Sequence, residues 1–185
     1  MLSEYTPELI EQQIKQAFAD TRYPGDDKIV LGGYDDEYEI EGIKTTFLGQ
    51  NWQDMTSEML HRYSATFAFL TEKAYRYYLP AYLLELLDWT EGKGMHPRNV
   101  DVIHHLRPPY DTPGDTSQRA RDIMLSRYSG FTFAQCEAIR KFLEYLSKRL
   151  PEHYREEKED VYHALNDFWN DASRHLCSSP ESPHT

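Results

Sequence analysis

Long apolar runs are missing from this 185-residue chain. No stretch of about 18 apolar residues occurs, so no segment is expected to cross a membrane as a helix. The opening residues MLSEYTPELIEQQ lack the basic-then-apolar pattern of a secretory signal. Cysteine is scarce: Cys136 and Cys177 are the only two, which is neither a disulfide framework nor a zinc-binding spacing, and a reducing cytoplasm is the expected compartment. Cys136 falls in a well-formed helical pattern, where a small packing residue is favoured over a nucleophile. Positive charge is also short. Twenty Lys and Arg against 31 Asp and Glu leave a formal net charge of −11. Nucleic acid and anionic membrane are thereby disfavoured as partners, because phosphate binding needs a basic footprint. A basic protein partner suits the same balance. Familiar catalytic signatures are absent too: no G-x-S-x-G elbow, no P-loop, no G-x-G-x-x-G, no H-E-x-x-H and no calcium loop of the D-x-D-x-D-G kind.

What is present is aromatic and helical. Apolar residues make up 39% and aromatics 14%, with fourteen tyrosines, and a chain of this size buries roughly 70% of its unfolded surface. The organising stretch runs from Thr71 to Trp89, TEKAYRYYLPAYLLELLDW. Thr71 suits an N-cap. Tyr75, Tyr78, Leu79, Tyr82, Leu83 and Leu86 share one helical face, with Glu72, Lys73 and Arg76 opposite. Pro80 falls on the polar side, where water can replace the lost hydrogen bond. That predicts a kinked helix or two short helices in tandem. The tyrosines read as core.

Around this stretch the pattern is helical throughout. Thr6-Pro7-Glu8 opens a first helix that runs to about Asp20. Pro24-Gly25-Asp26 is a turn, and Lys28 to Leu31 is too short to predict a sheet. Ile40, Ile43, Phe47 and Leu48 share a further helix, weakened by Gly42, and Trp52 reads as a core plug. Residues 98–106 fit a strand or a short helix. Residues 116–129 form another helix. Thr132 and Gln135 make a capping box before a helix with Ile139, Phe142, Leu143, Leu146 and Leu150 inward. The last helix carries Tyr154, Val161, Tyr162, Leu165, Phe168, Trp169 and Ala172 at helical spacing, with its charged REEKED face in solvent. The expected fold is all-α: a compact, irregular bundle of about six to eight helices with at most a minor strand pair. It forms a single domain over 1–176 with a flexible tail over 177–185.

Two places hold candidate chemistry. From Asp20 to Glu41 there are eight acidic and two basic residues, and Tyr23, Asp26, Asp27, Asp35 and Asp36 are the candidate binding residues there. A solvated acidic loop is the plainer alternative. The second place is His96, Asp101, His104 and His105, a candidate metal set. Adjacent histidines point in different directions on any regular element, which counts against a shared ion.

The stretches IKQAFADTRYPGDDKIV (14–30), NWQDMT, FLTEKAYRYYLPAYLLELL and FTFAQCEAIRKFLEYL (131–146), with the terminal ALNDFW, resemble a family of uncharacterised bacterial proteins known only as a domain of unknown function. The resemblance spans most of the chain and implies an all-helical domain with no known activity. The expected function is a non-enzymatic, cytoplasmic protein-interaction module, antitoxin-like or accessory, whose acidic surface meets a basic partner. A metal-dependent enzyme or metal-binding protein built on the His/Asp cluster at 96–115, and a small-molecule-binding bundle built on the tyrosine face, are the alternatives. No cofactor is predicted, and self-association is left open.

Overall fold

The computed structural model describes residues 5–32, 37–63, 66–92, 101–107, 122 and 125–171. The α-helices among them are α1 (Pro7–Phe18), α2 (Glu37–Phe47), α3 (Ser57–His61), α4 (Thr66–Phe69), α5 (Glu72–Thr90), α6 (Asp101–Leu106), α7 (Phe133–Arg149) and α8 (Arg155–Ala164). Short 3-10 turns and a π-helical turn accompany these helices, and Val30 and Leu70 form an isolated antiparallel bridge. The class is all-α, as the sequence predicts. No helix among the described residues is long and apolar enough to cross a membrane. The chain divides into two compact units, residues 18–102 and residues 1–17 with 103–185.

In the unit of residues 18–102, α5 is the centre. Thr71 caps it by accepting the Ala74 amide at 3.2 Å. The same hydroxyl donates to the Lys28 carbonyl. Thr71 N–H reaches the Ile29 carbonyl at 3.0 Å, and Leu31 N–H reaches the Phe69 carbonyl at 2.8 Å. One residue therefore starts the helix and pins the preceding loop. Tyr75, Tyr77, Tyr78 and Tyr82 are all buried, so the core reading of the tyrosines holds. Phe67 packs against Tyr75 and Tyr82, and Phe47 meets Tyr78 edge-on at 4.8 Å between ring centroids.

Pro80 departs from expectation. It is buried inside a single helix of 19 residues, rather than on a wet face or at a break between two helices. Pro80 and Ala81 are covered along with the predicted stripe, so α5 is enclosed on more sides than its charged residues suggest.

Gly42 also has a tertiary reason. A Cβ at this position would lie 2.2 Å from the Tyr63 hydroxyl oxygen, so the ring of Tyr63 rests directly on the backbone of α2. The glycine that weakens the helix locally is what admits the tyrosine. Ile43 and Phe47 are buried on α2, while Leu48 is exposed, because the helix has ended at Phe47 and the chain turns through Gly49 at φ +68°. Trp52 is buried in a 3-10 turn capped by Asn51, as the sequence predicts.

In the other unit, α7 carries the expected capping box: Thr132 accepts from Gln135 N–H, and the Gln135 side chain accepts from Thr132 N–H. Ile139, Phe142, Leu143 and Leu146 are buried. The Lys148 ammonium sits over the Tyr5 ring, 5.8 Å from its centroid, which ties the start of α1 to the end of α7. The segment open between strand and helix is helical, as α6. Two of its last carbonyls are capped by aromatic side chains: Tyr128 Oη donates to His105 O, and Trp169 Nε1 donates to Leu106 O at 2.7 Å. Tyr128, Phe168 and Trp169 cluster around these bonds, with centroids 4.9 to 5.1 Å apart. The last helix changes to a π-helical turn over Leu165–Trp169. Val161, Leu165 and Trp169 are buried there, but Tyr162 is exposed; it sits one residue off the stripe that Val161 begins. Of the proposed helix at 116–129, residues 122 and 125–129 are described; 122 and 125–128 are helical, and Ser129 is in a turn. Cys136 is buried but is also disulfide-bonded, which corrects its reading as a simple packing thiol. Spacing alone does not reveal such a bond, because it depends on which residues the fold brings together. Cys177 and the proposed tail lie outside the described residues.

Candidate functional site

The turn at Tyr23 is built around a phenol. Gly25 adopts φ +97°, which glycine tolerates without strain, and the chain then enters a 3-10 turn at Asp26. Tyr23 Oη donates to Asp26 Oδ1 at 2.7 Å and accepts from Gly49 N–H at 2.8 Å. Its ring meets Tyr77 edge-on at 5.5 Å. Burial raises the Tyr23 pKa, with Gly49 opposing and the Asp26 charge adding to the rise. Asp26 is thus engaged in holding the turn, while both Asp26 and Asp27 remain exposed. Asp35 and Asp36 lie outside the described residues.

The histidine set is only partly visible. His96 and the side chain of Asp101 lie outside the described residues. His104 and His105 diverge, with ring centroids 6.1 Å apart and planes at 81°. His104 is exposed, and its Nδ1 is 3.6 Å from Asp160 Oδ2. His105 keeps some accessible surface, yet its ring is largely desolvated. Burial, followed by the nearby charges of Arg127 and His104, pushes its pKa down to about 3. It is therefore a neutral imidazole at ordinary pH. Asp160 also takes the Arg107 guanidinium, which is buried at 4% exposure. Asp160 belongs to the REEKED face read as solvated; here it leaves that face to pair with Arg107. Among the described residues no group of three or more His, Cys, Asp or Glu side chains could hold a metal ion.

A third cluster escapes sequence reasoning. Glu85 of α5 accepts from Ser57 Oγ at 2.7 and 2.8 Å and faces His61 Nε2 at 3.1 Å. The His61 and Glu85 side chains are only 15% and 10% exposed. Ser57 and His61 are four residues apart on α3, so one helical face presents both to the carboxylate. Thr56 starts that helix by accepting Met59 N–H. The i,i+4 pair behind a good N-cap is a usable signal; its carboxylate partner on α5 is not, because that pairing is tertiary. A carboxylate bonded to an imidazole orients it and can share a proton with it. The serine, however, donates to the acid rather than to the histidine, so the order differs from a Ser-His-acid relay.

The last feature is an exposed ring. Tyr38, second residue of α2, is 88% exposed. It lies in the sequence Asp35-Asp36-Glu37-Tyr38-Glu39-Ile40-Glu41, at the acidic end of the segment that the Tyr23 turn begins.

Residues 6–173 match the model of a family of unknown function (DUF6714), and the chain belongs to that family. Comparison with curated proteins and with solved structures found no match.

Proposed function

We propose that the protein is a non-enzymatic interaction module, antitoxin-like or accessory, whose acidic segment between Asp20 and Glu41 docks a basic protein. The observation that carries this reading is Tyr38: a large aromatic side chain almost fully in water, in a stretch of sequence rich in acidic residues. Tyrosine is a frequent anchor at protein interfaces because it buries much area at little rotamer cost. Surrounding charge selects partners of the opposite sign and speeds encounter. Asp26 and Asp27, exposed on the same unit, extend the acidic character of the segment.

The test is capture of the full chain from its host, in parallel with the Tyr38→Ala and the Asp26→Lys/Asp27→Lys variants. A stoichiometric basic partner that both variants lose, and that salt releases, supports the reading. A partner retained by both variants and insensitive to salt overturns it.

A second reading, acid-base chemistry, draws on the Ser57–Glu85–His61 cluster. It fits less well, because the serine is committed to the carboxylate that would have to orient the histidine. The cytoplasmic placement belongs to the first reading. Disulfides in mesophilic cytosol are rare and mostly transient or redox-active, so the placement requires that Cys136 be at least partly reduced in growing cells. Alkylation of thiols at the moment of lysis measures this, and full oxidation would count against a cytoplasmic location.

A further inference from the structure

We propose that Tyr38 is a phosphorylation site, modified by a protein-tyrosine kinase with a basic substrate cleft that uses a nucleoside triphosphate. The phenol oxygen forms a bond to the γ-phosphorus as the bond to the bridging β-γ oxygen breaks. The nucleoside diphosphate leaves, and the phenolic proton passes to the kinase's general base.

Three observations single out this tyrosine among the described ones. Its hydroxyl has no partner among the described residues and its ring is 88% exposed, whereas the hydroxyls of Tyr23, Tyr78 and Tyr128 are tied to Asp26 and Gly49, to Phe47, and to His105. It occupies the first turn of α2. Terminal turns open at little cost, so the side chain can enter an enzyme cleft without unfolding the unit. Tyr162, the other strongly exposed tyrosine among the described residues, sits where α8 runs on into the π-helical turn, and presenting it would require opening a continuous helix. Acidic residues also flank Tyr38 on both sides in the sequence, which is the charge pattern that a basic cleft selects.

The product adds about −1.5 to −2 charge at neutral pH. It does so beside the positive end of a helix, where negative charge is tolerated. Its consequence rests on the docking reading: phosphorylation deepens the acidic field that draws in a basic surface, while the ring itself gives up its uncharged character.

The experiment treats the full chain with Mg-ATP and a purified protein-tyrosine kinase that phosphorylates a glutamate–tyrosine copolymer, and maps the product by tandem mass spectrometry. The expected result is one phosphoryl group at Tyr38, added about tenfold faster than at Tyr162, absent from Tyr38→Phe and unaffected by Tyr162→Phe. No label at Tyr38 while the copolymer is labelled, or labelling of Tyr162 at an equal or greater rate, overturns the inference. Binding of both forms to a polylysine surface separates the two readings. The phosphorylated chain is expected to bind about two- to fivefold tighter. Labelling at Tyr38 with no gain in binding leaves the modification standing and contradicts the docking role.

Discussion

The Tyr23 hydroxyl accepts a hydrogen bond from the Gly49 backbone N–H at 2.8 Å, which fastens the Tyr-Pro-Gly turn to the chain leaving α2. The same oxygen donates to Asp26, so one phenol organises two loops. Tyr23→Phe keeps the ring contact with Tyr77 and removes both bonds. Because the site is partly exposed, water replaces them in part, and the expected loss is about 0.5–1.5 kcal/mol. Urea denaturation measures it; an unchanged midpoint would show that the phenol contributes nothing to holding the turn.

Gly42 tests whether helix propensity or tertiary fit governs α2. Alanine is favoured over glycine by about 1 kcal/mol inside a helix. Here its Cβ meets the Tyr63 ring, so Gly42→Ala is expected to destabilise by about 1–3 kcal/mol as the ring is forced to move. In a Tyr63→Ala background the same change is expected to stabilise. A double-mutant cycle reads the reversal of sign, and additive effects would refute the contact.

Glu85 holds two partners at once. Glu85→Ala leaves Ser57 and His61 without their shared acceptor and is expected to cost about 1–3 kcal/mol, with Ser57→Ala costing less. Thermal unfolding of the two variants checks the order. If Ser57→Ala were the more damaging change, the carboxylate would not be the centre of the cluster.

His105 carries a pH dependence whose sign is fixed by the direction of its shift. Its folded pKa, near 3, lies below the ordinary 6.5. The unfolded chain therefore takes up the proton first. The stability from keeping His105 neutral is present above about pH 6.5 and is lost as pH falls toward 3, with a slope of up to about 1.4 kcal/mol per pH unit. Proton NMR of the imidazole is expected to show His105 unprotonated down to pH 4. A His105 ring that titrates near pH 6.5 would contradict its burial beside Arg127.

Local signals are the legible ones. Thr71, Thr132 and Thr6 cap helices because a hydroxyl reaches an amide two or three residues on, and that geometry is written in the sequence itself. The buried faces of α5 and α7 follow from their period. Features decided by distant residues are not legible. Pro80 reads as exposed until the packing around α5 is known, and Gly42 reads as a weak point until Tyr63 is placed on it. Asp160 looks like surface charge until Arg107 is buried beside it, and Cys136 looks like filler until its sulfur is seen bonded. Of the candidate binding residues, Tyr23 and Asp26 are joined by the turn that marks them in the sequence. The Ser57–Glu85–His61 cluster is hidden, because its acid comes from a different helix.

The salt dependence of partner binding, by the wild-type chain and by Asp26→Lys/Asp27→Lys with Tyr38→Ala alongside, decides whether the acidic segment is a docking surface. Docking of a basic protein there predicts affinity that falls steeply with ionic strength and a large loss on charge reversal. It also predicts a loss from Tyr38→Ala that persists at high salt, since an apolar anchor is not screened. Affinity that is flat in salt and equal among the three proteins would contradict docking on this segment.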